Sequence, residues 1–377
     1  MAQPGKKIRI LVIFLLFVVY FFIAARPIPR ETILAPLWLS SLESDAPVSI
    51  GVTDNPQERL VPFSLGSRFG YVDSSGNFAL KKMKAGDIYY NENQWTEYGA
   101  RPAAIEIKNI AEEAMVSIEN PGGYPILLDN RVFILGSEQN SLSEIGAAGN
   151  ILWTYEFGAP LTCIDAAAGL VLTGSIDGII EIINSSGKRI FYFEPGGSRY
   201  SAIFGCALSR DGLRLGIVCG IDQQRFLLFE RYGNEGDYKI VYHEFTGDGF
   251  RRPVHVLFID QDQRVVFERP GGIGSYSIKS RQTIHIPLSG EIAAIDESGD
   301  KGFFFLITSR SPNQKELIGI KFPQERFITL SGNGRDSHNA IFLKAPFKSD
   351  DVCLGRNGSM VIAGGGTTLI SFALEEK

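Results

Sequence analysis

The chain has 377 residues, more than one ordinary domain contains, and 44% of them are hydrophobic. Its formal net charge is −5 at pH 7 with both signs mixed along the chain, which excludes the basic surface that nucleic-acid binding requires. The four cysteines include no C-x-x-C pair and are too few for a disulfide framework.

The first predicted element is a membrane-spanning helix, because residues 10–25 form an apolar run without a charge. A spanning helix needs about 20 residues, with a lower limit of about 17, and the residues before the run extend it to that limit. The alternative is a cleaved signal peptide, but a cut after Ala25 would place Ile23 where a small residue is required. Positive charge is heavier before the run, which predicts a cytoplasmic tail, residues 1–9, and a single-pass membrane protein with a signal anchor. The bulk of the chain is then extracytoplasmic, in the periplasm.

Residues 26–55 are predicted to form an extracytoplasmic tether that leads to a folded domain over residues 56–377. Four prolines in the tether favour extended backbone. Leu34 to Leu42 is apolar enough for a short interfacial helix, with Trp38 near the lipid headgroups. The alternative is that these residues pack under the folded domain.

The folded domain contains a repeat of 38 residues, which aligns residues 130–157 with residues 168–195. In this alignment Gly149 falls on Gly187, and the aliphatic and aromatic strand positions coincide. A period near 40 residues, with short alternating strands and glycine turns, is typical of β-propeller blades.

Eight such units can be counted, and in the first of them the DSSG at residues 73–76 matches the NSSG at residues 184–187. The second unit, residues 87–120, is irregular, and its AEEA at residues 111–114 can also be interpreted as a helical turn. Seven blades therefore fit as well as eight. The predicted fold class is all-β, a seven- or eight-bladed β-propeller preceded by one N-terminal transmembrane helix. Residues 322–349 are polar and are predicted to form a loop on one face.

The repeat resembles the quinoprotein-alcohol-dehydrogenase-like propellers, and more loosely WD40-like repeats, over residues 130–220. Residues 169–193 have the order of that family's PQQ-like repeat, and Trp153 stands where the family has its repeated tryptophan. The resemblance implies a fold rather than a reaction, and the membrane-bound, non-catalytic members of the group include an outer-membrane-protein assembly scaffold. A quinone-dependent member would be implied to need an adjacent cysteine pair, which this chain lacks, so no cofactor is predicted.

The candidate interaction residues are Arg335, Asp336 and His338, which lie in the polar GRDSHNA segment. Loops carry function more often than strands do. The acidic groups around Asp260 and Asp296 fit solvated turns better than a metal site. No catalytic or metal-binding residue is predicted.

Three cysteines, Cys163, Cys206 and Cys353, fall at one position of the repeat, which predicts small residues packed on an inner strand. Equivalent positions in different blades are expected to be too far apart for a disulfide. A bridge between Cys206 and Cys219, across one hairpin, stays open in an oxidising compartment.

The sequence favours a non-enzymatic protein–protein interaction scaffold of the cell envelope, anchored in the membrane, with another envelope protein as its partner. Two alternatives stay open: a sugar or small-molecule sensor, and a hydrolase or lyase with its site in the central channel. An exposed apolar or aromatic patch on one face would favour docking, and a polar cluster at the channel mouth would favour an enzyme.

Overall fold

The computed structural model describes residues 13–18, 20, 32–43, 59–247, 249–299, 302–322 and 340–376. Within these residues the chain forms 31 strands in eight antiparallel sheets, which are the blades of an eight-bladed β-propeller. The predicted all-β propeller class is confirmed, and of the two blade counts that the sequence allowed, eight is the correct one.

The first four blades follow one another along the chain. Blade 1 consists of β2 (Val61–Leu65), β3 (Arg68–Val72) and β4 (Phe78–Met83). Blade 2 consists of β5 (Asp87–Tyr90), β6 (Gln94–Tyr98), β7 (Ala104–Asn109) and β8 (Ala114–Glu119). Blade 3 consists of β9 (Gly123–Leu128), β10 (Arg131–Gly136), β11 (Ser141–Ile145) and β12 (Ile151–Glu156). Blade 4 consists of β13 (Leu161–Ala167), β14 (Leu170–Ser175), β15 (Ile180–Ile183) and β16 (Arg189–Phe193).

The remaining blades complete the ring, and the last of them combines strands from both ends of the chain. Blade 5 consists of β17 (Ile203–Leu208), β18 (Arg214–Cys219), β19 (Gln224–Arg231) and β20 (Tyr238–Gly247). Blade 6 consists of β21 (Val256–Ile259), β22 (Arg264–Arg269), β23 (Gly272–Ser277) and β24 (Gln282–Pro287). Blade 7 consists of β25 (Glu291–Ile295), β26 (Phe303–Ser311), β27 (Gln314–Lys321) and β28 (Ile341–Phe347). Blade 8 consists of β29 (Val352–Asn357), β30 (Met360–Gly365), β31 (Thr368–Glu376) and β1 (Thr32–Ser41).

The hydrophobic core is divided among the junctions between blades. Eight clusters of buried apolar side chains occur in the described residues, and each one joins two neighbouring blades. At the junction of blades 4 and 5, Leu172, Ile182, Ile217 and Phe229 are fully buried. Burial of such a side chain stabilises the fold by about 1.5–3 kcal/mol, so the alternating aliphatic strands of the repeat explain the stacking of the blades.

The turns divide between two faces of the ring. In blades 2 to 8 we define the top face by the turns between second and third strands and by the links between blades. The bottom face has the turns between first and second strands and the turns between third and fourth strands.

Blade 1 has three strands, and its first strand, β2, runs antiparallel to β29. Asn357 Nδ2, at the end of β29, donates to the Arg59 carbonyl at the bottom face, and Gly66, after β2, lies beside Gly366 at the top face. The strands β2, β3 and β4 thus run in the directions of second, third and fourth strands, which explains why the DSSG and NSSG turns match.

The ring is closed by β1, the outermost strand of blade 8. It pairs with β31 from Thr32, opposite Glu376, to Ser41, opposite Thr368. The predicted interfacial helix from Leu34 to Leu42 is therefore wrong, and the propeller begins inside the predicted tether rather than at residue 56. The strand forms because β31 supplies hydrogen bonds along its length and the junction of blades 7 and 8 takes up its inner side chains.

Trp38 lies at the junction of blades 8 and 1, so the predicted position near lipid headgroups is also wrong. Its indole Nε1 donates to the Ser74 carbonyl at 2.9 Å, and its ring packs against Gly76 in the β3–β4 turn. A half-buried junction suits tryptophan, because the apolar ring packs against the turn while the indole N–H makes a hydrogen bond.

Two further sequence interpretations are corrected. Residues 111–114 are not a helical turn but the end of the β7–β8 turn and the start of β8, and Glu112 adopts a positive φ of 67°. Residues 341–347 of the predicted loop are β28, the outer strand of blade 7, because β27 supplies an edge for them to pair with.

The predicted membrane helix is described at residues 13–18 and 20, which are helical. Across the described ranges, no helix is both long enough and apolar enough to cross a membrane. The other residues of the 1–9 tail and of the 10–25 run lie outside the described residues.

Candidate functional site

A cleft of about 240 Å³ opens between blades 3 and 4 toward the top face. Its walls come from the outer strand of blade 3 and the following link, and from the last three strands of blade 4. The residues that matter chemically are Tyr155, Ser175, Asp177, Glu181, Arg189 and Tyr192. The cleft thus combines charged, hydroxyl and aromatic groups.

Glu181 occupies the wall of this cleft, and its side chain is only 8% exposed. Its Oε1 accepts hydrogen bonds from Arg189 Nη1 at 2.8 Å and from the Tyr155 hydroxyl at 3.1 Å. A buried carboxylate is costly unless it is paired, and the charge-assisted bond from Arg189 provides that pairing. Burial and the neighbouring Glu181 raise the pKa of Tyr155, and the hydrogen bond to Glu181 raises the pKa of Arg189.

The mouth of the cleft is shaped by the β14–β15 turn. The Ser175 hydroxyl donates to the Asp177 carboxylate and accepts from the Ile179 amide at 3.1 Å. A side chain at Gly178 would collide with Ser201, so this turn lies directly against the link between blades 4 and 5. The repeated Gly174-Ser175 and Asp177-Gly178 pairs therefore fix the conformation of the turn at the mouth of the cleft.

Three large side chains of blade 4 and of the link that follows it are exposed. Ile176, Tyr192 and Tyr200 are 56%, 47% and 58% exposed. Ile176 belongs to the β14–β15 turn and Tyr200 to the link that contacts it, so both lie on the top face of blade 4. We call these three residues the blade 4 patch.

The inner strands and the turns next to them carry a second group of polar side chains. Asp165 lies on β13, and its carboxylate accepts the amides of Ala166 at 2.8 Å and Leu208 at 2.6 Å. Burial raises the pKa of Asp165 to about 6. The two backbone hydrogen bonds lower this pKa, and the neighbouring Glu297 carboxylate raises it further. Burial also raises the pKa of Glu297. Because the Leu208 amide belongs to blade 5, the Asp165 carboxylate joins blades 4 and 5.

Other acidic residues join blades in the same way. Asp262, in the β21–β22 turn, accepts the Arg210 amide of blade 5 at 2.9 Å. Asp296 is buried and pairs with Arg356 of blade 8 at 3.3 Å. Both residues lie in turns, as the sequence indicates, but their carboxylates are buried rather than solvated. Within the residues that the structure describes, no group of three or more His, Cys, Asp or Glu side chains could hold a metal ion.

The cysteines lie where the repeat places them, on the first strands of blades 4, 5 and 8. All four cysteines, Cys163, Cys206, Cys219 and Cys353, are free thiols. Cys163 and Cys206 both pack against the hydrophobic cluster at the junction of blades 4 and 5. Their hydrogen bond and the burial of the thiol raise the pKa of Cys206 well above its ordinary value.

The predicted interaction residues Arg335, Asp336 and His338 lie outside the described residues. The sequence interpretation did not select Tyr155, Glu181 and Arg189, which form the polar wall of the cleft. One signal was available: Glu181 is the single charged residue in the aliphatic strand GIIEII, and a lone charge in a buried strand requires a partner.

Comparisons with known proteins agree with this architecture. The model of a family described as beta-propeller protein matches residues 1–376. A relative from Treponema pallidum (strain Nichols), described as an uncharacterized protein, is 28% identical over 286 residues, which cover 74% of this chain and 75% of the relative.

Two solved structures are similar in fold. The crystal structure of BamB from Moraxella catarrhalis has a TM-score of 0.57 at 10% identity, over 90% of this chain and 100% of that one. The computationally designed Ika8 protein has a TM-score of 0.57 at 13% identity, over 85% of this chain and 98% of that one. At such identities the likeness concerns the fold alone. The family model, which matches nearly the whole sequence, shows that the chain belongs to the beta-propeller protein family.

Proposed function

We propose that this propeller is a non-catalytic docking platform that is anchored in the membrane and binds another envelope protein on the extracytoplasmic side. The observation that carries the proposal is the blade 4 patch, because Ile176 and Tyr200 are exposed on the top face and Tyr192 is exposed on the outer strand of the same blade. Clustered exposed apolar groups mark interaction sites, and tyrosine is enriched at the energetic centres of interfaces.

The anchor and the type of propeller are part of the same proposal. The apolar run of residues 10–25 supports a signal anchor, and the basic residues before it support a cytoplasmic N-terminus. The contact of Trp153 with the turn at Gly187 supports the proposed resemblance to quinoprotein-like propellers.

The acidic residues that join neighbouring blades favour docking over catalysis. The Asp165 carboxylate is occupied by two backbone amides, and Asp296 is paired with Arg356. Groups that join blades in this way are committed to the fold, whereas a general acid or base must reach a substrate.

The test is photocross-linking in intact cells with p-benzoylphenylalanine in place of Tyr200 or of Tyr232. Tyr232 is the matched control, because it is a tyrosine of similar exposure in a third-to-fourth-strand turn on the bottom face. One envelope protein should be captured from position 200 at near-stoichiometric yield, and not from position 232. Equal capture from both positions, or none from position 200, would refute docking through this patch.

A second candidate function is the binding of a small polyhydroxyl ligand such as a sugar in the cleft. The specific observation is the half-exposed ring of Tyr192 beside the buried carboxylate of Glu181, a combination of stacking surface and hydrogen-bond acceptor. Saturation-transfer NMR with hexoses and disaccharides would detect such binding, and Glu181→Gln should abolish the signal.

A further inference from the structure

The strand β1 determines where the N-terminal segment meets the propeller. Its first residue, Thr32, lies opposite Glu376 at the end of β31. Lys321 at the end of β27 donates from Nζ to Thr32 Oγ1 at 3.2 Å. Both β27 and β31 are third strands and end at the bottom face, so the chain enters the propeller at the bottom edge of blade 8.

The link between the apolar run and this entry point is short. Six residues, 26–31, separate Ala25 from Thr32. A fully extended chain of this length reaches at most about 25 Å. The ten residues of β1 rise along the rim of blade 8 over about 33 Å. A top face lying on the membrane would require the link to span that height, which exceeds its reach.

The bottom face also exposes apolar side chains where the outermost strands begin. Met115, the second residue of β8, and Leu152, the second residue of β12, are 48% and 56% exposed. The exposed Tyr232 lies in a turn on the same face. Apolar groups accompanied by tyrosine suit the boundary between lipid headgroups and acyl chains.

We propose that the bottom face of the propeller lies against the lipid bilayer, so that the blade 4 patch on the top face points away from the membrane. The inference rests on the membrane anchor of the proposed function. Met115 and Leu152 contact the lipid interface, and Tyr200 is presented to the partner from the opposite face.

The experiment uses the full-length protein in vesicles of phosphatidylcholine and phosphatidylglycerol that contain lipids with a nitroxide on the headgroup. A fluorophore is attached through p-azidophenylalanine at Leu152 or at Ile176, which are equally exposed residues on opposite faces of neighbouring blades. Flotation in a density gradient first establishes that the protein is bound to the vesicles. Quenching should be several-fold stronger at position 152 than at position 176.

The outcomes separate the two proposals. Protein that fails to float would refute the anchor, and the orientation with it. Protein that floats with equal quenching, or with stronger quenching at position 176, overturns the orientation and leaves the anchor intact. Weak quenching at both positions in floating protein would mean that the rim of blade 8 faces the bilayer, and this result overturns the orientation as well.

Discussion

The indole of Trp38 covers Gly76, and this contact joins the last blade of the propeller to the first. Trp153 covers Gly187 in the same way at the junction of blades 3 and 4. A Cβ added at Gly76 or Gly187 would lie 2.8 Å or 2.6 Å from the facing indole. A tryptophan on one blade and a glycine turn on the next therefore form a recurring junction, and one copy of it closes the ring.

Replacing Trp38 with alanine should destabilise the whole propeller, because it opens the junction between its two ends. Trp→Ala in a core costs about 3–5 kcal/mol, and the half-buried position of Trp38 reduces the expected loss to about 2–3 kcal/mol. Urea denaturation of the full-length protein measures it. The control is Leu39→Ala on the same strand, where the side chain is 69% exposed and the expected change is under about 0.5 kcal/mol. Equal losses in the two variants would contradict the junction role.

Gly187→Ala should be more destabilising than Gly169→Ala, although both glycines have a φ of 76°. The left-handed backbone costs alanine about 1–2 kcal/mol at either position. At Gly169 the added methyl group meets open space, whereas at Gly187 it meets the Trp153 ring. Overpacking adds about 1–3 kcal/mol, so the difference between the two unfolding free energies isolates the contact with the indole. A difference near zero would show that Trp153 moves aside freely.

Glu181→Gln should lower the free energy of unfolding by about 1–2 kcal/mol, because it replaces the charge-assisted hydrogen bond from Arg189 with a bond to a neutral amide. Arg189 is 48% exposed, so water partly compensates the guanidinium, and the loss stays below that of a fully buried pair. Glu156→Gln, at an exposed position in the same cleft, is the matched control and should be neutral. The denaturant concentrations at the midpoints of unfolding of the two variants measure the difference. Similar midpoints would refute a structural role for Glu181.

Asp165 should make the propeller less stable as the pH rises from about 4 to about 6. Its pKa is raised from 3.8 to about 6 in the folded chain, so the folded state binds the proton more tightly than the unfolded state does. The contribution of this group is therefore present below pH 4 and is lost as the pH rises to 6, on the order of 2 kcal/mol.

Comparison with Asp165→Asn isolates this effect from the other carboxylates. The asparagine variant should lack this part of the pH dependence, whereas Asp350→Asn at an exposed position should keep the wild-type profile. Denaturant midpoints at pH 4 and pH 6.5 measure the difference. Parallel profiles for wild type and Asp165→Asn would refute the assigned pKa.

Local patterns in the sequence were enough to predict the blades. Aliphatic alternation and turn residues recur within each unit, and the match between residues 73–76 and 184–187 identified equivalent turns in blades 1 and 4. Those turns are defined by side chains close to them, since Asp73 and Asn184 accept hydrogen bonds from amides of their own turns. Information of this kind is present in a short stretch of sequence.

The strand β1 could not be predicted from a local pattern, because its partner β31 is more than 300 residues away. Without β31, a segment such as PLWLSS resembles an interfacial helix or a linker. The cleft was missed for a related reason: Tyr155 comes from blade 3 and Glu181 from blade 4, and only the packing of the two blades brings them together.

The pairing of β1 with β31 also determines when the molecule can be completed during synthesis. The first strand emerges more than 300 residues before its partner, so β1 must wait unpaired while the blades between them are synthesised. Contacts between residues so distant in sequence form slowly, since a long loop must close first. Blade 8 is therefore expected to be the last to form, and a chain cut short before Thr368 would keep an open ring with unpaired strand edges, a target for proteolysis and aggregation.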